Sequence, residues 1–129
     1  MSKLENKLEN FANALKRLNE AVVESKQANA SDVVRDGMIQ RFEFTYELAW
    51  KTTKEYLEQL GIADLNSPKS VMKEAYARKI ITDEETWLLI MKDRNLTPHV
   101  YREEVTIEIA ERIMSRYVAE FEALLQKLV

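Results

Sequence analysis

The sequence predicts an all-α protein, an antiparallel up-and-down helical bundle of about five helices, three long and two short. The chain has only two glycines and two prolines among its 129 residues, so it lacks the turn-forming residues that a fold of many short strands requires. Its apolar residues recur every three to four positions over long stretches, which is the spacing of a helix face. A chain of this length buries one continuous core, so residues 1–129 are expected to form a single domain.

The first two long helices follow from their apolar stripes. Ser2 is the expected N-cap of the first helix, and residues 27–31 are the expected loop after it. The second helix is expected to begin at Ser31 or Asp32 and to run to Leu60, with Gly61 just past its end. Two stripes on the second helix make it apolar over more than half its circumference, which is typical of a central or interface helix. The first helix carries Leu4, Leu8, Phe11, Leu15, Leu18 and Val22, and the second carries Val34, Met38, Phe42, Thr45, Ala49, Thr52, Tyr56 and Leu60 on one stripe and Ile39, Tyr46, Trp50 and Leu57 on the other.

The rest of the chain predicts two short helices and a third long one. A serine followed by proline opens a short helix over residues 67–78. Thr82 and Glu85 have the spacing of a capping box, which would open the helix that carries Trp87. The last helix is expected to extend to the C-terminus. Its apolar stripe is Val105, Ile109, Ile113, Tyr117, Phe121, Leu124 and Leu128.

Composition limits the classes of function. The chain has no cysteine, which excludes disulfides and thiolate metal sites and fits a reducing compartment. No stretch approaches the roughly 18 apolar residues of a membrane helix, and the N-terminus has no apolar signal region. We therefore expect a cytoplasmic protein without membrane association. The net charge of −3 means that any chemistry on nucleic acid would depend on a local basic site.

The single histidine of the chain, His99, directly follows one of the two prolines. Pro98 disfavours a helical conformation at Thr97, so the preceding helix is expected to end near Leu96, and Thr97 is expected to cap a new helix with His99 in its first turn. On one unbroken helix Arg94 and His99 would lie about 140° apart, because each residue turns through about 100°. The predicted break would let the two side chains converge.

Such a point would suit a phosphate group. A helix N-terminus offers free N–H groups and a positive dipole end, and the Arg94 guanidinium can grip a phosphate through two N–H groups. Histidine has an unperturbed pKa of about 6.5 and serves as a general acid or base. Tyr101 adds a hydroxyl two residues later. A lone histidine at a helix start is more commonly a capping or surface residue, so the residues alone leave the catalytic interpretation open.

Glu43, Glu47 and Lys51 recur every four residues on the second helix. Glu43 and Glu47 could line a cleft or contact a partner. The favoured interpretation is a solvated face, on which a Glu47–Lys51 pair contributes only a few tenths of a kcal/mol.

Two segments resemble signatures of one family, the nucleotidyltransferase substrate-binding proteins, which are a branch of the HEPN superfamily. Residues 35–51, RDGMIQRFEFTYELAWK, resemble the first signature, and residues 93–101, DRNLTPHVY, resemble the second. Both signatures occur in the family's order and separation, and the resemblance spans nearly the whole chain.

The resemblance implies a fold, a site and partners. HEPN proteins are helical bundles that commonly dimerise, and many are ribonuclease toxins that need no metal or other cofactor. Their hallmark is an arginine, a polar residue and a histidine, which implies Arg94, Asn95 and His99 as catalytic residues acting on RNA. In members with a tyrosine two residues after the histidine, a minimal nucleotidyltransferase encoded nearby silences the toxin by adding AMP to that tyrosine. Tyr101 occupies this position.

Two functions therefore follow for the chain. One is a metal-independent endoribonuclease toxin neutralised by a nucleotidyltransferase antitoxin. The alternative is a non-catalytic substrate-binding subunit of a two-component nucleotidyltransferase, since the chain lacks the Gly-Ser and paired-aspartate motif of the transferase itself. The intact motif favours the enzyme, and the acidic composition favours the binding subunit. A homodimer is expected from apolar positions in excess of one bundle face, which are Tyr46, Trp50, Met114, Val118 and Leu125.

Overall fold

The computed structural model describes residues 2–129, which contain helices and no strand. The last two helices and the π-helical segment between them follow one another without a gap and form one long helix. Three long and two short helices in the described chain confirm the predicted fold class. The elements are α1 (Lys3–Ser25), α2 (Asp32–Gln59), α3 (Pro68–Ala77), α4 (Glu84–Leu96), a 3₁₀ turn (Thr97–His99), α5 (Glu103–Arg112), the π-helical segment (Ile113–Tyr117) and α6 (Val118–Leu128).

The first two helices run antiparallel. The Thr45 hydroxyl donates a hydrogen bond to the carbonyl of Arg41 in its own helix at 2.7 Å and lies 3.3 Å from the carbonyl oxygen of Ala14 in α1. The Thr52 hydroxyl donates to the carbonyl of Lys7 at 3.3 Å. Residue numbers rise along α2 as they fall along α1, which fixes their relative direction. Both threonines are fully buried, so these bonds also satisfy hydroxyls in the core.

The helix α4 runs antiparallel to the long C-terminal helix. Near the end of α4, Asp93 accepts a hydrogen bond from Arg112 at 2.8 Å. Near its start, Thr86 accepts one from Arg116 at 2.7 Å. The two contacts hold both ends of the short helix against the longer one.

An aromatic cluster joins three helices in the core. Phe42 of α2 stacks on Tyr117 with ring centroids 5.6 Å apart, and Trp87 of α4 meets Phe121 of α6 edge-on at 5.6 Å. Phe42 and Phe121 lie 6.1 Å apart and connect the two pairs. Aromatic pairs in such offset and edge-on arrangements contribute about 0.5–1.5 kcal/mol beyond the area they bury.

Most predicted helix ends are confirmed, with one correction. Ser2, Ser31 and Ser67 cap their helices, and Gly61 has the left-handed φ of 89° that favours glycine. The capping box predicted at Thr82 is wrong. Asp83 caps α4, because its carboxylate accepts both the backbone N–H of Thr86 at 3.0 Å and the Thr86 hydroxyl at 2.7 Å.

The apolar positions on which the dimer prediction rested belong to the core of one chain. Tyr46 and Val118 are buried, and Trp50, Met114 and Leu125 are half-buried and packed against the core. Tyr46 and Val118 therefore offer no surface to a second chain, whereas the other three keep part of their surface exposed. The dimer itself stays a prediction. Among the described residues, no helix combines the length and the apolar character needed to cross a bilayer.

Candidate functional site

The segment that carries Arg94 and His99 begins in the last turn of α4. That helix ends at Leu96, as predicted. Thr97 does not cap a new helix, which corrects the prediction. It continues the helical conformation, with φ −53° and ψ −36°, into a 3₁₀ turn that ends at His99. Thr97 has this conformation although proline at position 98 disfavours it locally. The Thr97 hydroxyl donates a hydrogen bond to Glu43 at 2.6 Å and lies 3.1 Å from the carbonyl oxygen of Arg94.

The predicted phosphate site at a helix N-terminus is therefore not formed by His99. The next helix begins at Glu103, four residues later, after an extended stretch whose φ and ψ are −88° and 122° at Val100. Arg94 lies instead near the negative, C-terminal end of α4. A cation is favourable there, because it complements the unpaired carbonyl groups of the last turn.

Two carboxylates of α2 hold the Arg94 side chain. Its Nη1 donates a hydrogen bond to Glu43 Oε2 at 3.2 Å, and its Nε lies 3.8 Å from Glu47 Oε1. The Thr97 hydroxyl donates to the same Glu43 oxygen. The Arg94 side chain is 25% exposed and that of Glu43 is 26% exposed, so solvent only partly screens the pair. The guanidinium is therefore fixed in direction by residues about fifty positions away in the chain.

Glu47 has further partners on its own helix. It accepts a hydrogen bond from the Trp50 indole at 3.1 Å and lies 3.8 Å from the ammonium of Lys51. The Glu47–Lys51 pair expected from the sequence is present. The solvated-face interpretation nevertheless missed the contacts of Glu43 and Glu47 with Arg94, because these depend on how α4 packs on α2.

The other residues of the segment are open to solvent. Asn95 and His99 are exposed, and the Tyr101 side chain is 92% exposed in the extended stretch before α5. With Thr97 expected as the cap of a new helix, Tyr101 would have followed His99 within that helix, but the structure places it outside any helix. The structure thus brings Arg94 together with Glu43 and Glu47 and leaves Asn95, His99 and Tyr101 exposed to solvent.

Sequence reasoning missed the residue that anchors this end of α4. Asp93 is 2% exposed, and its carboxylate accepts two hydrogen bonds from Arg112, at 2.8 and 3.0 Å, and a third from the Tyr117 hydroxyl. Burial, together with Asp93, raises the pKa of Tyr117 well above its usual range. The signal was available, because Asp93 follows Ile90 at helical spacing and so places a charge on the buried stripe of α4.

The Asp93 contact coincides with the π-helical segment. Arg112 directly precedes this segment and Tyr117 ends it. A π-helical turn inserts an extra residue into a helix, changes the direction of the side chains that follow, and is frequent at functional sites. Here it lets Arg112 and Tyr117, five positions apart, meet one carboxylate next to Arg94.

The fold and this segment define an all-helical bundle with an arginine and a histidine at the end of its fourth helix. Residues 6–129 match the sequence profile of the family described as "Nucleotidyltransferase substrate binding protein like", and the chain belongs to this family. The chain is also 32% identical over 101 residues to "Probable ribonuclease HepT" of Haemophilus influenzae, across 75% of this chain and 68% of that protein. The resemblance drawn from residues 35–51 and 93–101 is confirmed.

Solved structures show the same fold. A protein from Thermus thermophilus is 35% identical, with a TM-score of 0.81 over 92% of this chain and 98% of its own. A Haemophilus influenzae protein is 26% identical, with a TM-score of 0.80 over 94% of this chain and 98% of its own. Its structure is described as revealing the fold of a substrate binding domain of a nucleotidyltransferase.

Proposed function

We propose that this protein is a HEPN-type endoribonuclease toxin, metal-independent, with Arg94, Asn95 and His99 as its catalytic residues and a nucleotidyltransferase as its antitoxin. The observation that carries the proposal is the burial and the fixed orientation of the Arg94 side chain. Its guanidinium is half-buried and oriented by Glu43, and the one histidine of the chain is exposed five residues further on. Similarity to a protein named as a ribonuclease supports the same activity.

In the proposed reaction, RNA supplies its own nucleophile. His99 accepts the proton of a ribose 2′-hydroxyl as that oxygen attacks the adjacent phosphorus. The bond from phosphorus to the 5′ oxygen breaks, and the leaving oxygen takes a proton from water. The products are a 2′,3′-cyclic phosphate end and a 5′-hydroxyl end. Arg94 stabilises the charge on the non-bridging phosphate oxygens, and Asn95 orients the phosphate or the histidine.

The ion pair with Glu43 has a defined role in this scheme. Arginine has five N–H donors, and the hydrogen bond to Glu43 uses one of them. The carboxylate fixes the plane of the guanidinium before substrate arrives, so little side-chain freedom is lost when phosphate binds. Glu43 is thereby proposed as a positioning residue, with Glu47 reinforcing it from the next turn of α2.

Cleavage of single-stranded RNA by the purified protein in the presence of a metal chelator tests the proposal. We expect His99→Ala to abolish cleavage, because His99 supplies the base, and Arg94→Ala to lower the rate by about 10²- to 10³-fold. Arg78→Ala is the matched control, since that arginine pairs with Glu74 on the surface of α3. Full cleavage by the His99 variant would contradict the mechanism.

We further propose that the nucleotidyltransferase partner, encoded nearby, modifies Tyr101. The Tyr101 oxygen attacks the α-phosphorus of ATP, pyrophosphate leaves, and AMP remains on the side chain. At 92% exposure, in an extended segment, the Tyr101 hydroxyl is accessible to another enzyme's active site. The added group carries negative charge two residues from His99, where it repels the RNA phosphate and occupies its space.

Mass spectrometry after incubation with the partner and ATP tests this modification. We expect a mass gain of one or more AMP units, lost in Tyr101→Phe and kept in Tyr76→Phe, whose tyrosine is also exposed but lies on α3. Cleavage should persist in Tyr101→Phe and should no longer respond to the partner with ATP. Inhibition of cleavage without any mass gain on Tyr101 would overturn the proposed switch.

A second candidate function is the non-catalytic substrate-binding subunit. The description of the Haemophilus influenzae structure as a substrate binding domain of a nucleotidyltransferase favours it. A folded wild-type protein that cleaves no RNA, yet changes the activity of the nucleotidyltransferase, would establish this function in place of the first.

We also propose a homodimer, on a different ground from the sequence argument. Leu96 is 38% exposed and Tyr101, five residues further along the chain, is 92% exposed, so the segment that carries the candidate site has two large side chains that a second copy could cover. A second copy of the chain covering these side chains would bring two sites together. Sedimentation at micromolar concentration measures the mass directly, and a monomer there would refute the dimer.

A further inference from the structure

Gly37 lies inside α2, where glycine destabilises a helix by roughly 0.5–1 kcal/mol relative to alanine. Its φ is not positive, and a Cβ added at this position would meet no atom within 4 Å. Neither the backbone conformation nor packing within residues 2–129 therefore requires glycine here. Because Gly37 has no side chain, the backbone of α2 is open at this position.

This open surface is the floor of a groove of about 470 Å³ between α1 and α2. Arg17 and Arg41 line it, and the Arg41 Nη1 donates a hydrogen bond to the carbonyl of Arg17 at 2.7 Å. Phe44, which is 61% exposed, and the exposed amide of Gln40 complete the wall. The groove thus combines two cations, one accessible aromatic ring and one amide.

The two arginines of the groove lack an anionic partner. Within residues 2–129 neither Arg17 nor Arg41 has a carboxylate oxygen within 4.0 Å, although the net charge of the chain is −3. Glu24 lines a smaller neighbouring cavity together with Gly37 and Arg41, but it makes no ion pair with Arg41 within 4.0 Å. Five of the six other arginines do have such a partner, whereas Arg116 donates to the Thr86 hydroxyl oxygen instead. The five are Arg35, Arg78, Arg94, Arg102 and Arg112. Two guanidinium groups without counter-charges on one groove are complementary to an anionic ligand.

We propose that this groove binds a segment of single-stranded RNA, an inference that rests on the proposed ribonuclease function. Arg17 and Arg41 contact phosphates, a base stacks on Phe44, and the sugar–phosphate backbone approaches α2 closely over Gly37. Gln40 donates to or accepts from a base edge. A protein partner fits less well, because Phe44 is the one large apolar side chain of the lining, whereas protein interfaces have an apolar core.

The position of the groove connects it to the candidate site. Phe44 follows Glu43 directly, and successive residues of a helix point about 100° apart. The Phe44 end of the groove therefore lies level with Glu43, about 100° further round α2. An RNA strand bound in the groove reaches the Arg94 segment by crossing α2.

Binding of fluorescently labelled single-stranded RNA with 2′-O-methyl groups tests the groove separately from cleavage, since the nucleophile is blocked. We expect Phe44→Ala to raise Kd about 5- to 100-fold, as loss of one stacked base does, and Phe44→Tyr to bind like wild type. Arg17→Gln should raise Kd and lower the slope of binding against salt by about one. Lys16→Gln, an exposed cation of α1 outside the groove lining, is the matched control.

Gly37→Leu tests the open floor of the groove. We expect Kd to rise at least about 10-fold while Tm stays the same or increases, because leucine favours the helix and fills the space that the RNA backbone needs. Unchanged Kd in Gly37→Leu and Phe44→Ala would overturn the inference, and so would a loss of self-association in these variants without any loss of RNA binding. If wild type binds the methylated RNA through this groove but cleaves no unmodified RNA, the proposed ribonuclease activity is refuted, whereas the proposed RNA-binding groove is supported.

Discussion

Replacing Asp93 with alanine removes the acceptor of three hydrogen bonds at the end of α4. It leaves the Tyr117 hydroxyl buried without a partner, which costs about 1–3 kcal/mol. It also leaves Arg112 without its counter-charge, and breaking a buried ion pair costs about 3–5 kcal/mol. Because the Arg112 side chain is 28% exposed and regains water, we expect a total loss of about 3–4 kcal/mol in the free energy of unfolding.

Urea denaturation followed by circular dichroism at neutral pH measures this loss. A loss of about 3–4 kcal/mol is a large share of the roughly 5–15 kcal/mol by which natural domains are stable. Thermal denaturation should show the same loss as a fall in Tm of roughly 10–15 °C. Tyr117→Phe keeps the Asp93–Arg112 pair and should lose only about 1 kcal/mol. A loss below about 1 kcal/mol in Asp93→Ala would refute the anchoring role, because it would mean that Arg112 and Tyr117 find other partners without cost.

Two further predictions concern local contacts. Asp83→Ala should lower the free energy of unfolding by about 0.5–2 kcal/mol, because it removes a helix cap. Thr82→Ala should lower it by less than about 0.5 kcal/mol. Equal losses in the two variants would contradict the assignment of the cap. Hydrogen bonds from Thr86 lower the pKa of Asp83 in the folded state. The stability that Asp83 contributes is therefore present above its unfolded-state pKa, and it is lost as the pH falls through its folded-state pKa. Burial raises the pKa of Tyr46 and of Tyr117. The stability that these two side chains contribute is therefore complete below about pH 10 and is lost as the pH rises beyond it. In an absorbance titration, two of the five tyrosines should therefore ionise late, and a single phase near pH 10 for all five would be evidence against their burial.

The candidate site was only partly predictable from the sequence. The order Arg94, Asn95, His99 and Tyr101 was evident in the sequence, and so was the end of α4 near Leu96. Their surroundings were not, because the partners of Arg94 come from another helix. The prediction for Thr97 used only its proline neighbour and could not include the hydrogen bond of its hydroxyl to Glu43, a residue 54 positions away.

The sequence by itself determined the helices of this protein and most of their ends. The spacing of apolar residues and the capping residues act within one or two helical turns, so both can be recognised in the sequence alone. Only the tertiary structure decided that Glu43 orients Arg94, that Asp93 binds Arg112 and Tyr117, and that Gly37 opens a groove between two arginines. The physical reason is that these contacts depend on the relative rotation and offset of packed helices, which many distant side chains set together.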